Sequence, residues 1–347
     1  MTASSAAPGG FPERWPREYR ELSRRLGPGN PLERMGVAHP DEAMEDPEGF
    51  DDPTGDLRLR PLPFLVRKHR DRALLLATGR CYFYCRFCFR RGAGSGAAPP
   101  LRPLHWEQAL EWVAGTPEVE EVILSGGDPL TLPNRLLGWV GRRLAQIPHL
   151  RRWRIHTRAP VVLPARVDRG LLAALESPLP LRVVLHANHP AELRPALHRA
   201  AADLRAAGAE TLCQSVLLRG VNDRADVLLA LFRGLGAVGI RPYYLHHPDR
   251  AAGNVRFRLS LAHGRRLQRD LLHLERTATD TFRIPPYVVD LPNGAGKCRV
   301  ESLVPIAEER GMGGRRVRYR WVRPSGWDAL VPDGRCEWWD LWQPASG

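Results

Sequence analysis

Six cysteines and two lysines hold most of the chemistry legible in this 347-residue sequence. Three of the cysteines fall in one run, Cys81-Tyr-Phe-Tyr-Cys85-Arg-Phe-Cys88, with spacing C-x3-C-x2-C. Three thiolates can hold three irons of a [4Fe–4S] cube and leave the fourth iron open. An open iron is a coordination position for a substrate or cofactor, so such a cluster is built for chemistry and not only for electron storage. Zinc asks for four protein ligands, usually in C-x2-C pairs, and no fourth ligand lies near this run. The remaining cysteines, Cys213, Cys298 and Cys336, are scattered. That distribution suits a metal site in a reducing compartment better than a disulfide framework.

The lysines are informative because they are so few. Of 51 basic residues only Lys68 and Lys297 are lysine, and the other 49 are arginine. Guanidinium replaces ammonium wherever a positive charge suffices, but it cannot form a Schiff base or act as a neutral amine. Each lysine is therefore a candidate for amine chemistry. Lys297 ends the stretch Tyr287-Val-Val-Asp290-Leu-Pro-Asn-Gly-Ala-Gly-Lys297. A Gly-containing loop ending in lysine suits pyridoxal phosphate, because the lysine must swing away when substrate displaces it. A phosphate-cradling loop is the competing use, and its G-x4-G-K-[ST] frame is absent.

These residues need a scaffold to bring them together. From residue 70 onwards, apolar β-rich segments at 73–78, 119–125, 153–157, 182–187, 211–218 and 239–245 alternate with segments of helical periodicity. The latter lie at 106–114, 135–145, 169–175, 195–207 and 224–235. Six β–α units in a row predict an α/β fold with a parallel sheet, doubly wound or curled into a full or partial barrel. A long helix over 261–279 and a seventh strand over 286–291 follow. Residues 1–60 are rich in Pro and Gly and acidic from Asp41 to Asp56, which predicts an irregular or short-helical extension wrapping a later core. The tail carries Trp321, Trp327, Trp338, Trp339 and Trp342, enough to pack a short β-rich element onto that core.

Composition narrows the class. At 43% hydrophobic and 26% charged residues the chain is ordinary for a soluble globular protein. No run of about 18 apolar residues marks a membrane span, and the first residues contain no apolar signal core. The net charge of +13 fits either a nucleic-acid partner or a surface built from dispersed arginines, and no basic block stands alone.

The cysteine spacing at the end of the first strand resembles the radical S-adenosylmethionine superfamily, where the amino and carboxylate groups of that cofactor chelate the open iron. The turn closing the second strand, Ser125-Gly126-Gly127-Asp128-Pro129, adds to this resemblance. It implies that Gly126, Gly127 and Asp128 contact the cofactor's amino group: glycines admit backbone carbonyls, and an aspartate pairs with ammonium. Together with Lys297, the combination resembles the lysine 2,3-aminomutase family, radical enzymes that also carry pyridoxal phosphate. The resemblance spans roughly residues 28–300 and includes Arg70-Asp71-Arg72, Cys88-Phe89-Arg90-Arg91, Arg154-Ile-His-Thr-Arg158, Asn188-His-Pro190, Gln214 to Asp223 and Arg241-Pro-Tyr-Tyr-Leu245. Up to about residue 255 the wording is closest to the branch that makes β-lysine for elongation factor P. Near residue 290 it is closer to the free-lysine enzymes.

The resemblance implies a partial (β/α)6 barrel over 66–300, an N-terminal extension over 1–65 and a C-terminal element over 301–347. It implies that Cys81, Cys85 and Cys88 bind the cluster and that Lys297 forms the Schiff base. Arg90 would hold the substrate carboxylate, and Arg72 the pyridoxal phosphate group with Lys68 or His69 assisting. Asp249 and Asp290 would bracket a distal ammonium, and His186 and Gln214 would lie near S-adenosylmethionine. Asp249 otherwise caps the turn after Pro248. The implied enzyme is an isomerase that converts L-lysine to β-lysine through a 5′-deoxyadenosyl radical, with the product free or destined for elongation factor P. The implied partners are the amino acid, a reductant such as flavodoxin or ferredoxin, and further copies of the chain, in the cytoplasm. The zinc-binding cysteine cluster of the free-lysine enzymes has no counterpart, since the tail offers only Cys336. A radical enzyme acting on RNA or on another amino acid is the alternative. An RNA substrate would leave Lys297, Asp249 and Asp290 without a purpose.

Overall fold

Strands that follow one another in the chain also lie side by side in space. The computed structural model describes residues 11–92, 101–277, 282–311, 314–322 and 335–341. Two short helices, α1 (Arg17–Arg25) and α2 (Pro31–Gly36), precede a nine-stranded sheet whose order is the sequence order. Strand β1 (Leu65–Val66) pairs antiparallel with β2 (Arg72–Thr78). Strands β2, β3 (Glu121–Gly126), β4 (Arg152–Thr157), β5 (Leu181–His186), β6 (Glu210–Val216), β7 (Arg241–His246) and β8 (Tyr287–Leu291) are all parallel. Strand β9 (Gly296–Arg299) returns antiparallel to β8.

Helices fill every crossover: α3 (Pro103–Ala114), α4 (Asn134–Ala145), α5 (Ala159–Val162) with α6 (Arg169–Leu175), α7 (Pro195–Ala206), α8 (Ala225–Ala237) and α9 (Leu261–Thr277). A parallel sheet whose order never reverses keeps its crossovers on one face, because such connections share one hand. It therefore curls into an open partial barrel, and the doubly wound alternative is set aside. The six expected β–α units and the seventh strand are present. The last turn expected for α9, at 278–279, lies outside the described residues.

Strand alternation decides what faces where. Ala73, Leu75, Val122, Leu124, Trp153, Ile155, Val183 and Leu185 join Leu110, Leu137, Leu171, Leu197 and Leu228 of the helices in one core. The intervening positions face the barrel interior and are largely polar: Arg72, Arg154, His156, His186, Gln214, Tyr244, His246 and Asp290. A parallel strand buried on both faces is ordinarily apolar throughout. A polar inner face is what a barrel needs if its interior holds ligands.

The acidic N-terminal stretch supplies countercharges to arginines far along the chain. Glu42 pairs with Arg86 and, at 2.7 Å, with Arg91; Asp46 pairs with Arg258 at 2.5 Å; Asp56 pairs with Arg90 and Lys68, both at 2.5 Å. Removing one partner of a buried pair like Glu42–Arg86 costs about 3–5 kcal/mol, so the extension is tied down by charge as well as by packing. At the other end, β10 (Val304–Gly311), β11 (Gly314–Val322) and β12 (Arg335–Trp339) form an antiparallel sheet. Trp321 buries its ring in the core, and the Asp340 carboxylate accepts from the Leu261 N–H at the start of α9. Trp327 and Trp342 lie outside the described residues.

Candidate active site

The carboxyl ends of the parallel strands carry the residues singled out in the sequence. The cysteine run leaves the end of β2, the glycine turn ends β3, His186 ends β5, Gln214 stands near the end of β6, and Asp290 stands near the end of β8. Lys297 lies on β9 directly opposite Asp290 in the antiparallel register. Barrel folds place their chemistry at this end because the loops there are free to vary.

All six cysteines are free thiols, and Cys81, Cys85 and Cys88 are partly buried. Burial pushes all three thiols up, Cys85 to about 11; Cys81 also feels the charges of Cys88 and Cys85, and Cys85 that of Cys88. They therefore share one pocket. Among the described residues no three His, Cys, Asp or Glu side chains converge on a single ion position. Ligands to three different irons of a cube need no such convergence, so this donor set fits a cubane and does not fit a single zinc. Arg158 Nη1 donates to Cys85 Sγ at 3.3 Å, a contact that favours the sulfur as thiolate.

The glycine turn is fastened to the start of the cysteine loop. The Gly127 N–H donates to Thr78 O at 2.5 Å and the Asp128 N–H to Arg80 O at 2.8 Å. Gly126 has φ of +109°, and a Cβ there would stand 2.5 Å from Thr78 O. A Cβ on Gly127 would stand 2.4 Å from Arg80 O. Only glycine fits either position. Asp128 departs from expectation. Its Oδ1 accepts from the Leu130 N–H and the Thr157 hydroxyl, and its Oδ2 from the N–H groups of Arg158 and Ala159, at 2.7–3.0 Å. A carboxylate has about four acceptor directions, and these are filled. Asp128 braces the turn against the end of β4 and has no lone pair left for a ligand ammonium.

Lys297 stands in a ring of inward-facing groups. Its Nζ is 2.5 Å from Asp290 Oδ2, 3.1 Å from His246 Nδ1 and 5.6 Å from the centre of the Tyr244 ring. Burial alone would raise the Asp290 carboxyl, but the Lys297 ammonium, the His246 contact and the Lys68 charge together outweigh it and hold the group well below the usual range. His246 is pushed down by burial and then by the Lys297 charge, so its ring is neutral near pH 7. His186, in contact with Gln214 Nε2 at 2.6 Å, is pushed down to about 3 by burial and then by Arg158. The Nε2 atoms of His246 and His156 are buried and without a hydrogen-bond partner. Orphaned polar atoms beside a lysine are what a pocket for a polar aromatic ligand leaves when the ligand is absent, so the residues fit pyridoxal phosphate.

Asp249 follows β7. Its carboxylate has no hydrogen-bond or ion-pair partner among the described residues, while its backbone oxygen accepts from the Ala251 N–H and Asn254 Nδ2. It does not cap the turn. Burial and then the Asp290 charge push its carboxyl up to about 7. Arg90 is clamped by Asp56 through Nη1, and its guanidinium stacks 4.7 Å from the Phe89 ring. Lys68 shares the same aspartate and donates to Thr54 O at 2.7 Å. Arg72 opens β2, donates to Asp71 at 2.7 Å, and its charge reaches the Tyr244 phenol across the interior. His69 is half-buried in the connection before β2.

Sequence reasoning missed His246, His156, Arg158 and Asp56. The two histidines have a local signal, since each is an inward position of a strand whose alternate residues are core. Asp56 and Arg158 have none, because the charges they pair with lie outside their own elements, Lys68 at 12 positions and Arg90 and Glu192 at 34.

An open parallel barrel with a cysteine loop after its first parallel strand defines a class, and a family model described as the radical SAM superfamily matches residues 75–231, from β2 into α8. The chain is 39% identical over 265 residues to the L-lysine 2,3-aminomutase of Escherichia coli (strain K12), covering 76% of this chain and 77% of that one. It is 39% identical over 252 residues to the enzyme of the same name from Haemophilus influenzae, with coverage of 72% and 74%. Identity to that of Fusobacterium nucleatum is 35% over 280 residues, with coverage of 80% and 64%. The chain belongs to the lysine 2,3-aminomutase family.

Proposed function

We propose that this protein is an isomerase that converts L-lysine to β-lysine by moving the amino group from C2 to C3. The observation that carries this is the cross-strand pair of Lys297 and Asp290 with Asp249 beside it, at the barrel end that also bears the cysteine loop. Cys81, Cys85 and Cys88 would hold a [4Fe–4S] cluster. Gly126 and Gly127, with His186 and Gln214, would border S-adenosylmethionine, and Asp128 keeps that turn in place. Lys297 would carry pyridoxal phosphate, with Arg72 and Lys68 as cations for its phosphate. The cofactors, when bound, supply hydrogen-atom abstraction at the substrate and delocalisation of the unpaired electron.

The chain's own residues position and discriminate. Arg90, stacked on Phe89 and fixed through Nη1, keeps a Nε/Nη2 edge for the substrate carboxylate, where a planar fork suits two oxygens. Asp249 and Asp290 take the distal ammonium. The neutral imidazole of His246 stands with Nδ1 toward Lys297 Nζ, placed to accept the proton that the ammonium must lose before the nitrogen can act as a nucleophile. The buried interior keeps water from the reacting carbons.

A one-electron donor such as flavodoxin or ferredoxin, assembly into homo-oligomers and a cytoplasmic setting complete the proposal. Six free thiols support a reducing compartment, and no helix among the described residues is long and apolar enough to cross a membrane. The division at residues 65 and 300 follows from the same proposal. The test is anaerobic reconstitution followed by turnover of lysine, glutamate, arginine and ornithine. Conversion of lysine with little or none of glutamate is expected, and equal turnover of the two refutes the assignment.

A further inference from the structure

Arg158 occupies the junction of the cysteine loop, the glycine turn and the N-terminal extension. Its guanidinium is buried. Nη1 donates to Cys85 Sγ at 3.3 Å, and Nη2 donates to Glu192 Oε1 at 2.8 Å and to Tyr19 Oη at 3.3 Å. Phe83 and Phe87, the two phenylalanines inside the cysteine run, flank the guanidinium carbon with ring centres at 4.9 and 5.4 Å. The backbone N–H of the same residue donates to Asp128 Oδ2. One residue thus touches a cysteine sulfur, both intervening rings and the brace of the glycine turn.

A guanidinium is expensive to bury and is retained only where partners offset the loss of water. Glu192 is one such partner, and its other oxygen is already occupied by the N–H groups of Asn188 and His189. The sulfur side of the fork is met by the cysteine loop. We propose that Arg158 sets the reduction potential of the cluster, raising it by fixing a positive charge and an N–H donor on the Cys85 sulfur. This rests on the assignment of Cys81, Cys85 and Cys88 to a [4Fe–4S] cube.

The electron balance gives the sign. A cube with three thiolates goes from a net charge of minus one to minus two when it takes one electron from a low-potential flavin or iron–sulfur donor, and no proton moves. The added negative charge lies beside a cation in a pocket of low dielectric, where the attraction is far stronger than in water. Hydrogen bonds to cluster sulfurs and local net charge are the protein's means of tuning such potentials. Arginine stays protonated at every accessible pH, so its effect does not titrate. The two rings keep water from screening it. Glu192 opposes the effect from the far side of the guanidinium, which makes the carboxylate and the cation separable by mutation.

The experiment is a redox titration of the reconstituted full-length protein, with the cluster followed by its visible absorbance and by electron paramagnetic resonance of the reduced state. Glu192→Gln, which leaves Arg158 in place, should raise the midpoint above that of the natural chain. Arg158→Met combined with Glu192→Gln empties the pocket of both charges. Against Glu192→Gln alone it should lower the midpoint by at least a tenfold change in the one-electron equilibrium, about 59 mV. Restoring a cation with Arg158→Lys in the Glu192→Gln background should recover part of that loss. A fully loaded cluster whose midpoint is the same with and without Arg158 overturns the proposal. So does a midpoint in Glu192→Gln that fails to rise, which keeps the test decisive even if the double variant does not assemble. A natural chain that binds no iron overturns the cluster assignment itself, and that outcome is read before any midpoint is measured.

Discussion

Asp249 is expected to destabilise the empty protein above neutral pH, and replacing it with asparagine should make the protein more stable there. Its carboxylate is half-buried, has no partner among the described residues, and is pushed up to about 7 by burial and then by the Asp290 charge. An unfolded aspartate titrates near 3.8. Between these values the folded state binds a proton that the unfolded state has released, so stability falls as pH rises from about 4 to about 7 and is level above that. About three pKa units at 1.36 kcal/mol each give a ceiling of about 4 kcal/mol. Solvent reaches this carboxyl, and halving the figure for screening leaves about 2 kcal/mol. Asp249→Asn should therefore raise the melting temperature of this 347-residue protein, free of cofactors, by about 3 °C at pH 8. Most of that gain should be gone at pH 5. Calorimetry at the two pH values checks it, and added lysine should narrow the gap at pH 8 by supplying the missing ammonium. An equal shift at both pH values, or a loss of stability at pH 8, would show that the carboxylate is satisfied and that its placement for a ligand cation is wrong.

Four further outcomes follow from the same geometry. Lys297→Ala should abolish the visible absorbance of bound pyridoxal phosphate while leaving cluster iron unchanged, as read by absorbance and iron analysis on one sample. Asp290→Asn should reduce kcat/KM for lysine by roughly ten- to a hundredfold, the loss of a charge-assisted hydrogen bond of about 1.5–3 kcal/mol. Asp249→Lys combined with Asp290→Asn should shift the preference toward glutamate in a competition assay. Gly127→Ala should weaken S-adenosylmethionine binding measured by calorimetry, because its Cβ would stand 2.4 Å from Arg80 O and the turn must move off the cysteine loop.

Much of this architecture is written locally in the sequence. Residues 73–77 form an apolar run of a strand's length, and Leu228, Leu231, Phe232 and Leu235 repeat at helical spacing, so strands and helices are readable. The cysteine run and the glycine turn are equally plain because each is contiguous. The charge pairing is different in kind. Tyr19 and Glu192 are separated by 173 positions and meet at 2.6 Å, and Asp46 reaches Arg258 across 212 positions. Nothing near Asp46 in the sequence marks it as a countercharge, and an acidic stretch reads equally well as a solvated tail. Asp128 misleads for a related reason. Its type and neighbours suit an ammonium ligand, and only the folded end of β4 reveals the Thr157, Arg158 and Ala159 donors that consume its oxygens.

The cations of the site are held before any ligand arrives. Arg90 and Lys68 rest on Asp56, and Lys297 rests on Asp290. An empty interior with unpaired charges would be unstable at low dielectric, and internal pairing removes that penalty without filling the pocket. On the proposed assignment it would also shape selectivity. A lysine substrate brings one distal ammonium, which can take the place of the Lys297 ammonium at Asp290 when that side chain is called to the cofactor. The number of charges around Asp249 and Asp290 then stays constant. A glutamate substrate brings a carboxylate to the same place and leaves three anions facing one another. On the proposed assignment, the pairing of Lys297 with Asp290 in the empty protein would rehearse the contact of the substrate ammonium, performed by the residue that would have to leave for the substrate to bind.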